Sequence, residues 1–186
     1  MTSPVVTVVT PFHEHRRNNG MLERAVSSVR AQTVPVEHVL AEDIHHVGAG
    51  ITRAHGLALV ETEWTAFLDS DDYLDPDHVE QLLSCAAETG ADYVYPWFRM
   101  DGGSDPFPMF FGKPWDNSAP HSTTVTILVR TDLAKSIGFR GGYGEDYTFT
   151  LNCVDKGAKI VHLPRRTWTW THHGRNSSGQ PGRGDA

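Results

Sequence analysis

The sequence lacks the features that mark membrane, secreted and nucleic-acid-binding proteins. None of its apolar stretches reaches the roughly 18 residues of a membrane span, and its N-terminus has no basic segment followed by an apolar one, as a signal peptide would. The net charge is -7 over 186 residues, which disfavours a nucleic-acid backbone as the main partner because phosphate binding requires clustered basic residues. We therefore expect one cytoplasmic globular domain without a membrane span.

Cysteine is scarce as well, since the chain contains only Cys85 and Cys153. The two lie far apart in the sequence, and neither has a partner at the spacing of a metal site. They predict reduced core thiols in a cytoplasmic protein, with a single disulfide as the alternative.

Several common enzyme motifs are missing. The sequence has neither a Walker loop nor a G-x-S-x-G elbow. Gly48-Ala49-Gly50 begins a dinucleotide fingerprint, but the third glycine would fall at position 53, which is Arg53. A Rossmann dinucleotide site is therefore excluded.

What the first half does contain is a regular alternation of strand and helix patterns. Strands are predicted at residues 5–9, 36–41, 64–68 and 92–95, with helices between them. The helix before the fourth strand is predicted to start at Asp75-Pro76, with Asp75 as N-cap, and to end at Gly90. This order predicts an α/β fold with a mostly parallel central sheet flanked by helices.

The second half is less regular. Residues 101–120 predict a long loop, 123–129 and 158–163 predict strands, 144–156 predict a helix, and 167–173 alternate like a strand. We expect residues 1–173 to form a single domain. Residues 174–186, rich in Gly, Ser and Arg, predict a flexible C-terminal tail.

The most informative segment is the one in which an apolar strand ends in Asp69-Ser70-Asp71-Asp72. Carboxylates beside a hydrophobic strand are costly unless a cation neutralises them. A hard divalent ion that carries the phosphates of a nucleotide satisfies this requirement. In open α/β sheets such ligands bind beyond the carboxyl ends of the strands.

Two other interpretations of these acids remain open. The first is a calcium loop, because the acids that follow Asp69 partly imitate an EF-hand up to Glu80, although Leu74 stands where the loop requires glycine. The second is a set of solvated acids before a helix.

Several blocks together resemble family 2 glycosyltransferases. They are V-V-T-P-F at 8–12, A-V-S-S-V-R-A-Q-T at 25–33, A-F-L-D-S-D-D at 66–72, G-E-D at 144–146 and H-G-R-N-S at 173–177. The resemblance implies a GT-A fold, a nucleotide-binding α/β sandwich. It also implies a metal-dependent inverting enzyme that moves a sugar from a nucleoside-diphosphate sugar, with UDP favoured, to an acceptor hydroxyl. The alternative is a non-catalytic module that binds a nucleotide sugar or a divalent cation.

On the donor side, the resemblance assigns Thr10, Phe12 and Asp43 to the nucleobase. Phe12 can stack on a base and Asp43 can accept the imide N–H of uracil, which favours UDP. The family usually has two aspartates followed by Gly-Ser, whereas this chain has Glu-Asp-Ile-His at 42–45. For Thr10 and Phe12 the alternative is strand-end packing. Arg53 matches an arginine that faces the donor phosphates, with a surface helix arginine as its alternative.

The same resemblance assigns Asp71 and His173 to a Mn²⁺ or Mg²⁺ ion, and Asp69 to the ribose or sugar hydroxyls. Asp72 is interpreted as an additional acid near the metal or as a solvent-exposed one. Imidazole suits Mn²⁺ better than Mg²⁺. On an alternating segment only one of His172 and His173 can face the site, and the H-x-x-N-S spacing selects His173.

On the acceptor side, Asp146 matches the general base that takes a proton from the acceptor hydroxyl, and Glu145 is a candidate to hold that hydroxyl. Their alternative is favourable charge at a helix N-terminus. The aromatic residues of the second half are candidate acceptor contacts or core residues, namely Trp97, Phe98, Trp115, Trp168 and Trp170. The sequence leaves open the sugar, the acceptor and a homo-oligomer that completes the acceptor site.

Overall fold

The computed structural model describes residues 3–173. The predicted tail at 174–186 and the last part of the H-G-R-N-S block therefore lie outside the described residues. The strands are β1 Val6–Phe12, β2 Val36–Glu42, β3 Trp64–Phe67, β4 Tyr73–Leu74, β5 Tyr93–Asp101, β6 Leu128–Arg130 and β7 Ile160–Thr171. The helices are α1 Glu14–Asn18, α2 Met21–Arg30, α3 Ala49–Ala58, α4 His78–Thr89, α5 Thr131–Ile137 and α6 Glu145–Asp155, with a short 3₁₀ turn at Pro108–Phe110.

The described strands form one seven-stranded sheet in the order β2-β1-β3-β6-β5-β7-β4. The neighbours β2-β1, β1-β3 and β5-β7 are parallel, whereas β6 and β4 are antiparallel to the strands beside them. Five of the seven strands therefore run in the same direction. The prediction of an α/β fold with a mostly parallel sheet is confirmed.

Helices pack against this sheet through the apolar stripes that the sequence predicts. In α2 the buried side chains are those of Leu22, Ala25, Val26 and Val29. Helix α3 approaches β1 so closely that a Cβ on Gly56 would lie 2.5 Å from Val9 Cγ1, so this contact requires glycine. The sheet and its helices thus hold the carboxyl ends of β1, β2 and β3 in fixed positions.

The predicted start of α4 at Asp75-Pro76 is wrong. The helix begins at His78 with Asp77 at the N-cap position. The carboxylate of Asp75 instead holds Arg99 with both oxygens, at 3.0 and 2.7 Å. A first-turn donor of α4, the Val79 N–H, bonds to the side chain of Gln32 at 2.9 Å. Gln32, which is distant in the sequence, therefore takes the capping role that was predicted for Asp75.

The second half also differs from the sequence predictions. The strand predicted at 123–129 is confined to β6, and the strands predicted at 158–163 and 167–173 are one continuous strand, β7. Strand β7 pairs with β5 on both sides of the predicted break, as far as the Asp101–Thr171 pair, and the register shifts between His162 and Trp168, where the break was predicted. The irregular segment predicted at 101–120 is present. The short elements α1, β4 and α5 were not predicted.

Both cysteines, Cys85 and Cys153, are buried and free, so the predicted reduced thiols are present and the disulfide alternative is not. Among residues 3–173, no helix has the length and apolarity that crossing a membrane requires.

Candidate active site

The acids predicted from the sequence lie at the carboxyl edge of β1, β2 and β3. After β3, the Leu68 N–H bonds to Val9 O at 3.1 Å, and a turn closed by the Asp72 N–H and Asp69 O leads into β4. One ligand atom each from Asp69, Asp71 and Asp72 falls within a 4.8 Å span. The chain geometry therefore gathers three carboxyl groups at one point of the sheet edge.

Asp72 is the buried member of this group and does not point to solvent. Its residue exposure is 3%, and its Oδ1 accepts a hydrogen bond from the Thr171 N–H at 2.8 Å. Burial and the charges of Asp71 and Asp69 raise the pKa of Asp72 well above its usual range. Asp72 thus fixes the end of β7 beside the acids, which brings His173 to the same place.

Asp71 forms a compact cluster with two cationic or basic side chains. Its Oδ2 lies 2.8 Å from His173 Nε2 and 2.9 Å from Arg16 Nη2. His172 is exposed whereas His173 is partly buried, as the alternation on this segment predicts. Arg16 comes from α1 and was not among the predicted site residues.

The donor set of this cluster fits a divalent cation. Ligand atoms at right angles on an octahedral ion, each 2.0–2.1 Å from it, lie about 2.9 Å apart. The separation of Asp71 Oδ2 from His173 Nε2 is 2.8 Å, close to that spacing. Carboxylate oxygens together with one imidazole nitrogen suit Mn²⁺ or Mg²⁺.

Arg53 links the acids after β3 to the first turn of α6. Its side chain is 4% exposed, with Nη2 at 2.6 Å from Asp69 Oδ1 and Nη1 at 2.7 Å from Glu145 Oε1. Burial alone would lower the pKa of this guanidinium, but the charges of Asp69 and Glu145 outweigh burial and raise the pKa. The alternative of a surface arginine is therefore wrong. Among the described contacts, only Nε has no partner, so the phosphate contact stays a prediction.

Gly50 explains how α3 and α6 come so close together. A Cβ at this position would lie 2.2 Å from the Arg140 carbonyl oxygen and 2.8 Å from Glu145 Cγ. The glycine therefore lets the backbone before α6 rest on α3, and this contact places Glu145 within reach of Arg53.

Asp146 lies in the first turn of α6, beside Glu145, and is partly buried. Burial, followed by the charge of Glu145, raises the pKa of Asp146 to about 6. The Tyr147 N–H and the Arg53 charge act in the opposite direction. A carboxyl group with this pKa is half ionised near pH 6, which suits proton transfer at neutral pH.

The predicted nucleobase residues are more enclosed than the sequence suggests. Thr10 is fully buried and its hydroxyl pairs with His38 Nε2 at 3.0 Å. Phe12 packs in a small apolar cluster with Leu22 and Val26. These contacts are those of strand-end packing, the alternative left open for both residues, and their nucleobase role stays a prediction.

Asp43 lies directly after β2, where its two carboxylate oxygens accept the Val47 and Gly48 N–H groups at 2.8 and 2.9 Å. Each oxygen keeps a further lone pair. A uracil imide contact therefore remains compatible with this loop, and the role of Asp43 stays a prediction.

The calcium-loop alternative is wrong. The acids that would complete the loop have other partners, since Asp75 pairs with Arg99, Asp77 accepts from Gln81 and Glu80 accepts from Thr33. Within residues 3–173, the group of acids that could hold an ion is Asp69, Asp71 and Asp72.

Two arginines of this site escaped the sequence reasoning. Arg24 of α2 donates to Asp71 O and to Thr171 Oγ1, both at 2.7 Å, and so ties the acid turn to the end of β7. Arg16 lies in a five-residue helix that has no apolar stripe. Both arginines contact residues that are distant in the sequence. Locally, the sequence shows only that they follow the first strand, Arg16 in α1 and Arg24 in α2.

The candidate aromatic contacts divide into core and loop. Trp97, Phe98 and Trp168 are at most 2% exposed and Trp170 is 9% exposed, so these four are core residues. Trp115 is partly buried in the loop after β5. That loop meets α6 where the Tyr147 hydroxyl donates to Pro120 O at 3.4 Å, and it therefore lies beside the first turn of α6, which carries Asp146.

Known proteins share parts of this sequence. The model of the family described as glycosyl transferase family 2 matches residues 38–126, a segment that includes Asp43, Arg53, Asp69 and Asp71. The succinoglycan biosynthesis protein ExoW of Rhizobium meliloti (strain 1021) is 31% identical over an alignment of 156 residues, covering 69% of this chain and 46% of the relative. The pre-mycofactocin glycosyltransferase of Mycobacterium tuberculosis (strain CDC 1551 / Oshkosh) is 28% identical over 195 residues, covering 86% and 41%. The chain thus spans less than half the length of these relatives.

Solved structures of S. aureus TarS share the fold. TarS 1-349 in complex with UDP-GlcNAc has a TM-score of 0.80 at 19% identity, covering 94% of this chain and 61% of that chain. The complex of the same TarS segment with UDP has a TM-score of 0.77 at 18% identity, covering 90% and 60%. The match of residues 38–126 to the family model and the 31% identity to ExoW identify the chain as a member of glycosyl transferase family 2.

Proposed function

We propose that the protein is a metal-dependent inverting glycosyltransferase that moves a sugar from a nucleoside-diphosphate sugar, with UDP favoured, to an acceptor hydroxyl. Asp71 and His173 hold Mn²⁺ or Mg²⁺, and Asp69 binds the ribose or sugar hydroxyls. When bound, the ion neutralises charge that develops on the departing diphosphate. The UDP and UDP-GlcNAc complexes of TarS support this choice of donor by analogy of fold.

One observation carries this proposal. The Arg53 guanidinium touches Asp69 on the donor side and Glu145 on the acceptor side, at 2.6 and 2.7 Å. It thereby holds the acid cluster and the first turn of α6 in one rigid arrangement. If Glu145 only stabilised the N-terminus of α6, it would need no arginine shared with the acids after β3.

Asp146 is the general base in this arrangement. With a pKa of about 6, it is ionised at neutral pH and can take the proton of the acceptor hydroxyl as that oxygen attacks the anomeric carbon. Attack from the face opposite the diphosphate breaks the sugar–phosphate bond and inverts the anomeric configuration. Glu145, whose Oε1 already holds Arg53, uses its other oxygen to orient the acceptor.

A thermal-shift experiment tests the donor site. We expect UDP with Mn²⁺ to raise the unfolding temperature, because a ligand at 100 times its dissociation constant adds about 2.7 kcal/mol of stability. The Asp71→Asn substitution should remove most of this shift. The control substitution Asp132→Asn, at an exposed acid of α5, should preserve it.

Three outcomes of this panel would count against the proposal. They are an equal shift in Asp71→Asn and wild type, a response to Ca²⁺ that does not depend on nucleotide, and no response to any nucleotide. If UDP with Mn²⁺ raises the unfolding temperature as expected, and the Asp146→Asn variant keeps the full function of the wild type, the non-catalytic module is favoured instead.

A further inference from the structure

The three close contacts among Arg16, Asp71 and His173 cannot all be favourable hydrogen bonds at the same time. Arg16 Nη1 lies 2.9 Å from His173 Nε2, and the same Nε2 lies 2.8 Å from Asp71 Oδ2. Arg16 also contacts Asp71 Oδ2 through Nη2 at 2.9 Å. The three side chains are only 13–14% exposed, so water does little to screen them.

The imidazole cannot satisfy both of its neighbours through one nitrogen. If Nε2 of His173 is protonated, it donates to Asp71 and offers no lone pair to Arg16 Nη1, whose other described acceptor is Met21 Sδ at 3.1 Å. If Nε2 carries its lone pair, it accepts from Arg16 and faces the Asp71 carboxylate oxygen. In either state one of the close contacts is unfavourable. A divalent ion bound by Nε2 and Oδ2 would remove this conflict, because both atoms would then act as ligands.

We propose that Arg16 is a built-in counter-cation that competes with the divalent metal for Asp71, and that the donor diphosphate takes over its guanidinium when the metal binds. This inference rests on the proposed function and assigns a further residue to its donor site. The metal displaces a guanidinium from Oδ2, and a displaced guanidinium needs a new anion. A diphosphate offers that anion in the geometry that arginine binds best.

The surrounding contacts explain why Arg16 can leave while the acids stay. Asp72 is held by the Thr171 N–H and the backbone of Asp71 is held by Arg24. Arg16 is carried by α1, whose residues are all partly or fully exposed. Several contacts therefore hold the acid turn, whereas α1, which supplies the counter-cation, has no buried residue.

A thermodynamic consequence follows. Metal alone must break the Arg16–Asp71 ion pair without compensation, whereas metal with UDP gives the guanidinium a new partner. UDP should therefore tighten metal binding strongly in the wild type. Removing Arg16 should strengthen binding of the metal alone and weaken its coupling to UDP, since coupling between two ligands is reciprocal.

Calorimetric titration of Mn²⁺ with and without UDP tests this inference. We expect Arg16→Met to bind Mn²⁺ alone about tenfold more tightly than wild type, which corresponds to about 1.4 kcal/mol, and to lose most of the enhancement by UDP. Arg17→Met is the matched control, because it removes the same charge from the next residue of α1. Arg17 is 57% exposed and pairs with Glu42, so its loss should leave Mn²⁺ affinity within about twofold of wild type, as expected for a screened surface charge.

A spectroscopic readout separates contact from general charge. The ¹⁵N signals of the Arg16 guanidinium, assigned by their loss in Arg16→Met, should shift when the diamagnetic Mg²⁺ is added together with UDP. The inference would be overturned if Arg16→Met and wild type bound Mn²⁺ with equal affinity, or if the Arg16 ¹⁵N signals did not shift on addition of Mg²⁺ and UDP. Either result would leave the proposed function standing. Failure of the wild type to bind Mn²⁺ even with UDP would overturn both.

Discussion

Replacing Asp146→Asn is expected to lower the rate of sugar transfer by about 10²–10⁴-fold, the usual contribution of a general base. The amide has the shape of the carboxylate and can still accept the Tyr147 N–H, which bonds to Oδ1 at 2.7 Å, but it cannot take a proton. Steady-state kinetics with a competent donor and acceptor measures the effect. Asp155→Asn, at the other end of α6, is the matched control and should retain the wild-type rate.

The pH dependence of the same reaction gives a second readout. Since burial and Glu145 raise the pKa of Asp146 to about 6, the wild-type rate should rise with pH around 6 and level off above it. Asp146→Asn should lack this rising limb. A full rate in the variant, or the same limb in both proteins, would remove Asp146 from the role of base.

A lower transfer rate in Asp146→Asn would not result from loss of folding. Folding raises the pKa of Asp146 from 3.8 to about 6, so the folded protein binds more protons than the unfolded chain between these values. The ionised carboxylate therefore costs stability, and this cost grows as pH rises through that window. An asparagine avoids the cost. Asp146→Asn should unfold at the same temperature as wild type or at a higher one at pH 7.5.

Replacing Arg53→Met is expected to have the largest effect on stability. It leaves Asp69 and Glu145 without their shared cation, and removal of one partner from a buried ion pair costs 3–5 kcal/mol. Because the Asp69 side chain is 37% exposed, we expect about 3 kcal/mol, the lower end. Urea unfolding measures this change. Arg53→Lys should recover it only in part, since a single ammonium cannot bridge two carboxylates as a guanidinium does.

Arg99→Met is the matched control for this experiment. Arg99 also binds a carboxylate with two nitrogens, that of Asp75, but its side chain is 48% exposed. Surface pairs of this kind contribute up to about 1 kcal/mol. Arg53→Met should also move the rising limb of the pH profile to higher pH, because the Arg53 charge lowers the pKa of Asp146. Equal unfolding free energies for the Arg53 and Arg99 variants would contradict the assigned role of Arg53.

The parts of this site that the sequence predicts are those encoded by short segments. The strand before Asp69 and the turn after it are local, so the position of the acids at a strand end could be predicted. The side to which His173 points follows from the alternation of residues 167–173, although β7 itself ends at Thr171. The fold class follows from the order of strand and helix patterns.

The parts that the sequence does not predict depend on contacts between distant segments. Arg53 is buried in α3 because two acids from other elements neutralise it, and no local pattern reports that pairing. The two-residue strand β4 exists only because β7 lies beside it. Helix α4 starts late because Arg99 takes the carboxylate of Asp75 and Gln32 supplies a cap in its place.

Donor hydrolysis followed by ¹H NMR tests the central claim most directly, because slow attack by water needs no knowledge of the acceptor. A panel of UDP-sugars is incubated with the protein and Mn²⁺, and the first sugar released is observed before it mutarotates. Metal-dependent, single-displacement transfer predicts that one donor is cleaved, that a chelator stops the reaction, and that the sugar appears with the opposite anomeric configuration. Cleavage that continues in the chelator, or a sugar released with the donor's own configuration, would contradict it.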